Sequence, residues 1–261
     1  MSICMNGYIR GYVENTFMRR DAFTLVELSI VLVILGLLVG GVLTGQSLIR
    51  AAELRAVTRE EMNYATAAQT FRDKYFAIPG DMPNATSFWG SSTVNGNGDG
   101  VISASSAGAS AEIFQFWNQL ALAGLIEGSY TGITGSGGPY HTIIGTNVPK
   151  SHMSNGGWFA YTQSGSYYAG DGNLYAADYG SYLEFGANYP NSNPNNPLLK
   201  PEEAWNIDTK IDDGKPGTGK VIAIYWNNAC GTGGSGPSDT ASVYNLSNTS
   251  AQCALYFTHQ F

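Results

Sequence analysis

Apolar and polar positions along the chain fall into three regimes. From Phe23 to Leu43 the residues are apolar or small, and the only charge in that stretch of 21 is Glu27. At about 1.5 Å per residue, a helix of this length spans roughly 31 Å, the thickness of a hydrocarbon core. Beyond it the pattern becomes periodic. Leu54, Val57, Glu61, Tyr64, Ala68, Phe71 and Tyr75 recur at alternating spacings of three and four. Apart from Glu61, that is an apolar stripe on one helix face. One helix is therefore predicted from about Phe23 to about Tyr75, stopped by Pro79 and Gly80. Its first half suits lipid; its second half suits a domain packed against one side.

The third regime consists of short apolar runs between Gly/Asn/Pro/Ser turns. Ile113, Trp117 and Leu120 repeat at helical spacing, as do Phe114, Ala121 and Leu125, so a buried helix is predicted here. Ser110 is placed to cap it and Gly128 to end it. "GGWFAYTQ", "YLEFGA" and "KVIAIYW" read as strands. "NYPNSNPNNP" reads as an exposed loop. The expected fold class is α+β: a long N-terminal helix packed on a loop-rich head with a small antiparallel sheet.

Composition sharpens this picture. Only 13% of the 261 residues are charged, the formal charge is −7, and Gly (33) and Tyr (16) are abundant. No long basic run follows the apolar segment, so the isolated head carries no nucleic-acid signal. Arg19 and Arg20 lie just before the apolar run, which keeps the N-terminus cytoplasmic and sends the bulk of the chain across the membrane. An ordinary secretory signal would have a shorter apolar core and a small-residue cleavage site after it. Here the helical pattern continues past the apolar run, so the run reads as a retained anchor.

The residues from Arg19 onward, a basic leader, a small residue and then "FTLVELSIVLVILGLLVGGVL", closely resemble the type IV pilins and the pseudopilins of type II secretion. Phe at the first mature position and Glu at the fifth carry the resemblance; here they are Phe23 and Glu27. Ala22 stands before the cut, where Gly is usual in that class. The resemblance implies that a prepilin peptidase cuts between Ala22 and Phe23 and methylates the new amine. It also implies that Glu27 pairs with the amine of Phe23 on a neighbouring subunit, which sets the register of a helical assembly. The implied partners are other pilin or pseudopilin subunits, prepilin peptidase, an inner-membrane assembly platform and the lipid bilayer. The implied location is a single pass through the inner membrane, with the head outside the cytoplasm, before assembly into a periplasmic pseudopilus or an extracellular pilus. No catalytic constellation stands out, and the resemblance is to a structural subunit, not an enzyme.

The expected organisation is a leader at 1–22, a membrane and polymerisation half of the helix at 23–45, an amphipathic half at 46–78 and a head at 79–261. The cut removes three of the 13 basic and two of the 20 acidic residues, leaving a formal side-chain charge of −8. It also removes Cys4. Cys230 and Cys253 then remain as an even pair, and in an oxidising compartment a disulfide between them is expected. Closing that loop would stabilise the fold by roughly 3 kcal/mol through the unfolded chain's entropy. A contrasting reading is a membrane-tethered binding or hydrolytic domain on an uncut anchor.

Three further patterns bear on chemistry. Asn95, Asn97 and Asp99 alternate before Gly100, with the Val101 carbonyl next, as in the first half of an EF-hand loop. Calcium is the one cofactor this suggests, although Ser106 stands where the bidentate Glu would be. "GKPGTGKV" has P-loop spacing, but Val221 replaces the Ser/Thr that holds magnesium, and a strand follows instead of a helix. It reads as a turn, and Asp208, Asp212 and Asp213 nearby read as solvated loop acids or a second cation site. His141, His152 and His259 show no metal spacing.

Overall fold

The computed structural model describes residues 24–104, 111–163, 174–175, 177–224, 229–232 and 241–261. The chain divides into two compact units, Met1–Leu48 and Ile49–Phe261. Helix α1 (Leu25–Tyr75) runs through both. In the first unit every residue from 24 to 44 is exposed, apolar side chains included. This segment is long and apolar enough to cross a membrane, and among the described residues its apolar side chains stay exposed.

In the second unit α1 buries Val57, Glu60, Glu61, Ala67, Ala68 and Phe71. Of the predicted stripe, Val57, Glu61, Ala68 and Phe71 are buried and Leu54, Tyr64 and Tyr75 are half-buried against the core, while Glu60 and Ala67 join the buried face. The helix stops at Tyr75, before Pro79, because Phe76 turns into the left-handed region at φ 53°. A short helix α2 (Thr86–Trp89) and a 3-10 turn (Gly90–Ser92) follow. Helix α3 (Glu112–Leu122) is the predicted buried helix. It ends earlier than Gly128, since Gly124 already takes φ 70°. The expected cap Ser110 lies outside the described residues.

The sheet holds β1 (Gly156–Thr162), β2 (Ser181–Ala187), β3 (Val221–Ala223) and β6 (Leu255–Phe257) in the order β1-β2-β6-β3, all antiparallel. A two-stranded ribbon of β4 (Gly231–Thr232) and β5 (Val243–Tyr244) stands beside it. Between β2 and β3 lies helix α4 (Pro201–Ile211). Register sets Trp158 opposite Phe185 and Phe257 opposite Leu183, and the Trp158 ring centroid lies 5.0 Å from that of Phe185 and 5.6 Å from that of Phe257. Tyr64 of α1 meets Trp158 at 5.6 Å and Trp117 of α3 at 5.1 Å, both edge-on. Edge-to-face contacts of this kind add about 0.5–1.5 kcal/mol beyond burial. Tyr182, Tyr179, Tyr256 and Ile222 build a second cluster.

The loop 188–197 is only partly exposed, contrary to expectation. Asn193 reaches back to donate to Glu184 Oε2 at 2.6 Å, and Pro194 is buried. Glu184 is fully buried, so it needs those donors, and Tyr256 supplies another.

The buried Glu60 ties α1 to the sheet. Its Oε2 accepts from Ser151 Oγ at 2.6 Å and Trp158 Nε1 at 2.7 Å, while Oε1 accepts the His152 N–H at 2.7 Å. The imidazole Nδ1 of His152 lies 2.6 Å from the same Oε1. A second tie is Arg50, whose Nε and Nη2 grip Glu203 of α4 at 2.6 and 2.7 Å. Two-pronged guanidinium–carboxylate contact fixes orientation as well as distance.

Two outcomes are expected. Glu60→Ala leaves buried Ser151 and Trp158 donors unpaired, and should cost about 2–4 kcal/mol in urea unfolding; a loss under about 0.5 kcal/mol would contradict the tie. Stability should also fall as pH rises. Burial pushes Glu61, Glu184 and Asp208 up to about 7 from ordinary values of 4.5, 4.5 and 3.8. The folded chain therefore holds more protons than the unfolded chain between those values and 7, and stability is lost across that window. The melting temperature is expected to be higher at pH 5 than at pH 8, with a smaller difference in Glu184→Gln. An equal or larger difference in that variant would count against the account.

Candidate functional site

The start of α1 carries the expected assembly residue. Ala22 and Phe23 lie outside the described residues, so the site is described from Thr24 onward. Thr24 precedes the first helical residue, and its carbonyl accepts the Leu28 N–H at 3.2 Å. Its hydroxyl accepts the Glu27 N–H at 3.2 Å. Glu27 answers: its Oε2 accepts the Thr24 N–H at 2.9 Å and the Thr24 hydroxyl at 2.8 Å. This is a capping box, in which residues three apart satisfy each other's orphan N–H groups at a helix N-terminus. It matters more here than in water, because an unpaired N–H near a hydrocarbon layer has no solvent to turn to. The Thr-x-x-Glu spacing before an apolar run was the available signal.

Glu27 is thus accounted for twice. Placing a carboxylate at the centre of a bilayer costs about 2.5–3.5 kcal/mol. Glu27 lies at the first turn instead, and one of its oxygens already has two donors. Among the described residues no donor reaches Oε1.

The loop expected to bind calcium has a different local logic from the one read in the sequence. Asn95 Oδ1 accepts the Thr86 N–H at 2.8 Å. Asn97 Oδ1 accepts the Asp99 N–H and Asp99 Oδ1 accepts the Val101 N–H, both at 2.9 Å. These are Asx turns, a local use of Asn and Asp oxygens. The loop's N–H groups converge on two carboxylates, Asp81 and Glu112. Asp81 accepts from Gly98 at 2.6 Å, Asp99 at 3.2 Å and Gly100 at 2.8 Å. Glu112 accepts from Asn97 and Ser103 at 3.2 and 3.1 Å. Burial raises the Asp81 carboxyl above its ordinary value, against the pull of those N–H groups. Gly80, at φ 87°, lets the chain press so close to α3 that any side chain there would collide with the Glu112 carbonyl.

Asp208, Asp212 and Asp213 do gather, with carboxylate oxygens within 4.8 Å of one another. Asp208 is not the solvated loop acid expected. It is fully buried on α4 and accepts from Tyr244 Oη at 2.8 Å and the Gly214 N–H at 3.1 Å. Asp213 holds the Lys215 N–H and the Thr218 hydroxyl, and Asp212 holds the Lys220 N–H. The three acids shape the "GKPGTGKV" turn, which enters β3 as predicted.

Cys230 and Cys253 form the expected disulfide, with Cα atoms 5.1 Å apart. Cys253 also pairs through its backbone with Leu199, so the bond joins the C-terminal loop to the segment entering α4. Among the histidines, His141 Nδ1 accepts the Gly137 N–H, His152 rests on Glu60 and His259 Nε2 lies 3.1 Å from the Asp178 carbonyl. Each has a local structural use.

No curated protein and no solved structure matches the chain. A family model described as the prokaryotic N-terminal methylation motif matches residues 17–43. That span holds Thr24, Glu27 and the exposed apolar turns that follow. With it, the chain carries the signature of the type IV pilins and pseudopilins.

Proposed function

We propose that this chain is a subunit of an extracytoplasmic filament, either a type IV pilus or the pseudopilus of type II secretion. The observation that carries the reading is the matched methylation motif, on a helix whose apolar half is exposed among the described residues. Such a surface needs lipid before assembly and other helices after it. In this reading residues 1–22 are discarded, and Phe23 becomes an N-methylated terminus. Before the cut, Arg19 and Arg20 hold that end on the cytoplasmic side. Glu27 then receives the amine of a neighbour. Opposite charges in a medium of low dielectric attract strongly, and the pairing fixes how far one subunit is displaced along the next.

The head supports a specialised role more than a minimal repeating one. It carries long loops, a separate β ribbon and a disulfide-closed C-terminal region. Its function is structural. The carboxylates and histidines described above are spent on holding loops and helices.

N-terminal mass spectrometry of the mature protein tests the processing step. A mature chain beginning with N-methyl-Phe23 is expected; retention of residues 1–22 would instead support an uncut membrane tether. Glu27→Ala tests the pairing. It should leave membrane insertion intact and lower filament incorporation at least ten-fold, a loss of about 1.4 kcal/mol or more. Wild-type incorporation by that variant would refute the role given to Glu27.

A further inference from the structure

We infer that the cleft at the C-terminal end of α1 is a binding site for a neutral saccharide, with Phe76 as its stacking platform. This goes beyond the filament reading and does not depend on it. The first observation is a residue whose backbone conformation does not suit its type. Phe76 follows the last helical residue, donates its N–H to the Arg72 carbonyl at 2.8 Å and takes φ 53°. A helix often ends on one such bond and a left-handed residue, and Gly usually fills that place because it has no Cβ to clash. Helix α3 follows the rule with Gly124 at φ 70°. A bulky side chain in this region is an outlier that costs conformational energy. The fold gains little in return, because Phe76 is 94% exposed. A strained aromatic residue that stays exposed points to a task outside the fold.

The second observation is the cleft that the ring borders. Its volume is about 780 Å³, within the range of about 300–1,000 Å³ found for small-ligand sites. Gln69, Arg72 and Asp73 of α1 line it with Phe76, and Ile78 and Asp81 line it from the segment that follows. The lining chemistry selects the ligand. Arg72 offsets Asp73, and Asp81 has both oxygens engaged by the N–H groups of Gly98, Asp99 and Gly100. A strongly charged ligand therefore meets little opposing charge. Those N–H groups, spent on Asp81, are also not open to pair with an extended peptide. What the cleft offers is an amide, a guanidinium and a carboxylate, planar groups that exchange paired hydrogen bonds with neighbouring hydroxyls. Beside them lies an aromatic ring whose negative face attracts the polarised C–H groups on one side of a pyranose.

The experiment titrates the full-length chain, held in phospholipid nanodiscs free of sugar-headed detergent, with maltotetraose, cellotetraose and N-acetylchitotetraose by calorimetry. At least one is expected to bind with a Kd of about 1 mM or tighter. Phe76→Gly and Phe76→Leu are expected to weaken that binding about ten-fold or more, while Phe76→Trp, which keeps an aromatic face, stays within about three-fold of wild type. Phe76→Gly should also melt no lower than wild type, because Gly accepts the left-handed conformation without strain. No binding of any of the three sugars by wild type at about 10 mM would overturn the inference, as would binding that Phe76→Gly leaves unchanged. A clearly lower melting temperature in Phe76→Gly would show that the ring serves the fold and would remove the argument from strain. If wild type binds no sugar and Phe76→Gly fails to enter filaments, the ring is a packing contact between subunits; the saccharide site then falls and the filament reading stands.

Discussion

A carboxylate set in apolar surroundings must be given donors, and that constraint runs through this molecule from its first helical turn to its last strand. Glu27 takes two donors from Thr24 at the edge of a lipid-facing segment. Glu60 takes the side chains of Ser151 and Trp158 and the His152 N–H, locking the helix to the sheet. Asp81 and Glu112 gather the N–H groups of the Asn/Gly loop, and Asp208 is held under α4 by Tyr244. Each acid lowers its desolvation cost by ordering a piece of backbone that lacks a strand or helix of its own. In a head this rich in Gly and Asn, such acids supply order that regular secondary structure does not.

The same constraint separates the two halves of α1. In the head, Glu60, Asp81, Glu112, Glu184 and Asp208 take donors on both oxygens from their own chain. In the apolar half, Glu27 has donors on one oxygen among the described residues. A helix with exposed apolar sides and a half-satisfied carboxylate at its start is unfinished as a monomer. Other copies of the same helix would complete both features at once, through apolar packing and a charged pair. Gly36, Gly40, Gly41 and Gly45 leave open space on α1, so neighbouring helices have room for close approach.

Much of this was legible in the sequence. The long helix followed from the apolar run and the Leu54-to-Tyr75 stripe, β1 and β2 from aromatic-rich runs between turns, and the disulfide from cysteine count. Other parts were hidden for physical reasons. Strand β6 is three residues long and central, so it shows no alternation to read. Helix α4 was missed although Pro201, the acidic first turn and Ala204, Ile207 and Ile211 at helical spacing announce it. Asp81 could not be read because its donors come from 17 to 19 residues onward, in a contact that only the folded chain creates. Asp208 looked like one of a solvated run because its burial depends on Tyr244, from a distant strand.

The central claim is that Glu27 of one subunit meets the terminal amine of another. Filaments assembled from two differently labelled populations measure this directly. One population carries 15N at the Phe23 amine and the other carries 13C at the Glu27 carboxyl. Nitrogen–carbon transfer in solid-state NMR then reports only contacts between subunits. The account predicts transfer corresponding to an ion-pair separation of about 4 Å or less. Intact filaments with no such transfer, in which Glu27 contacts only its own Thr24, would contradict it.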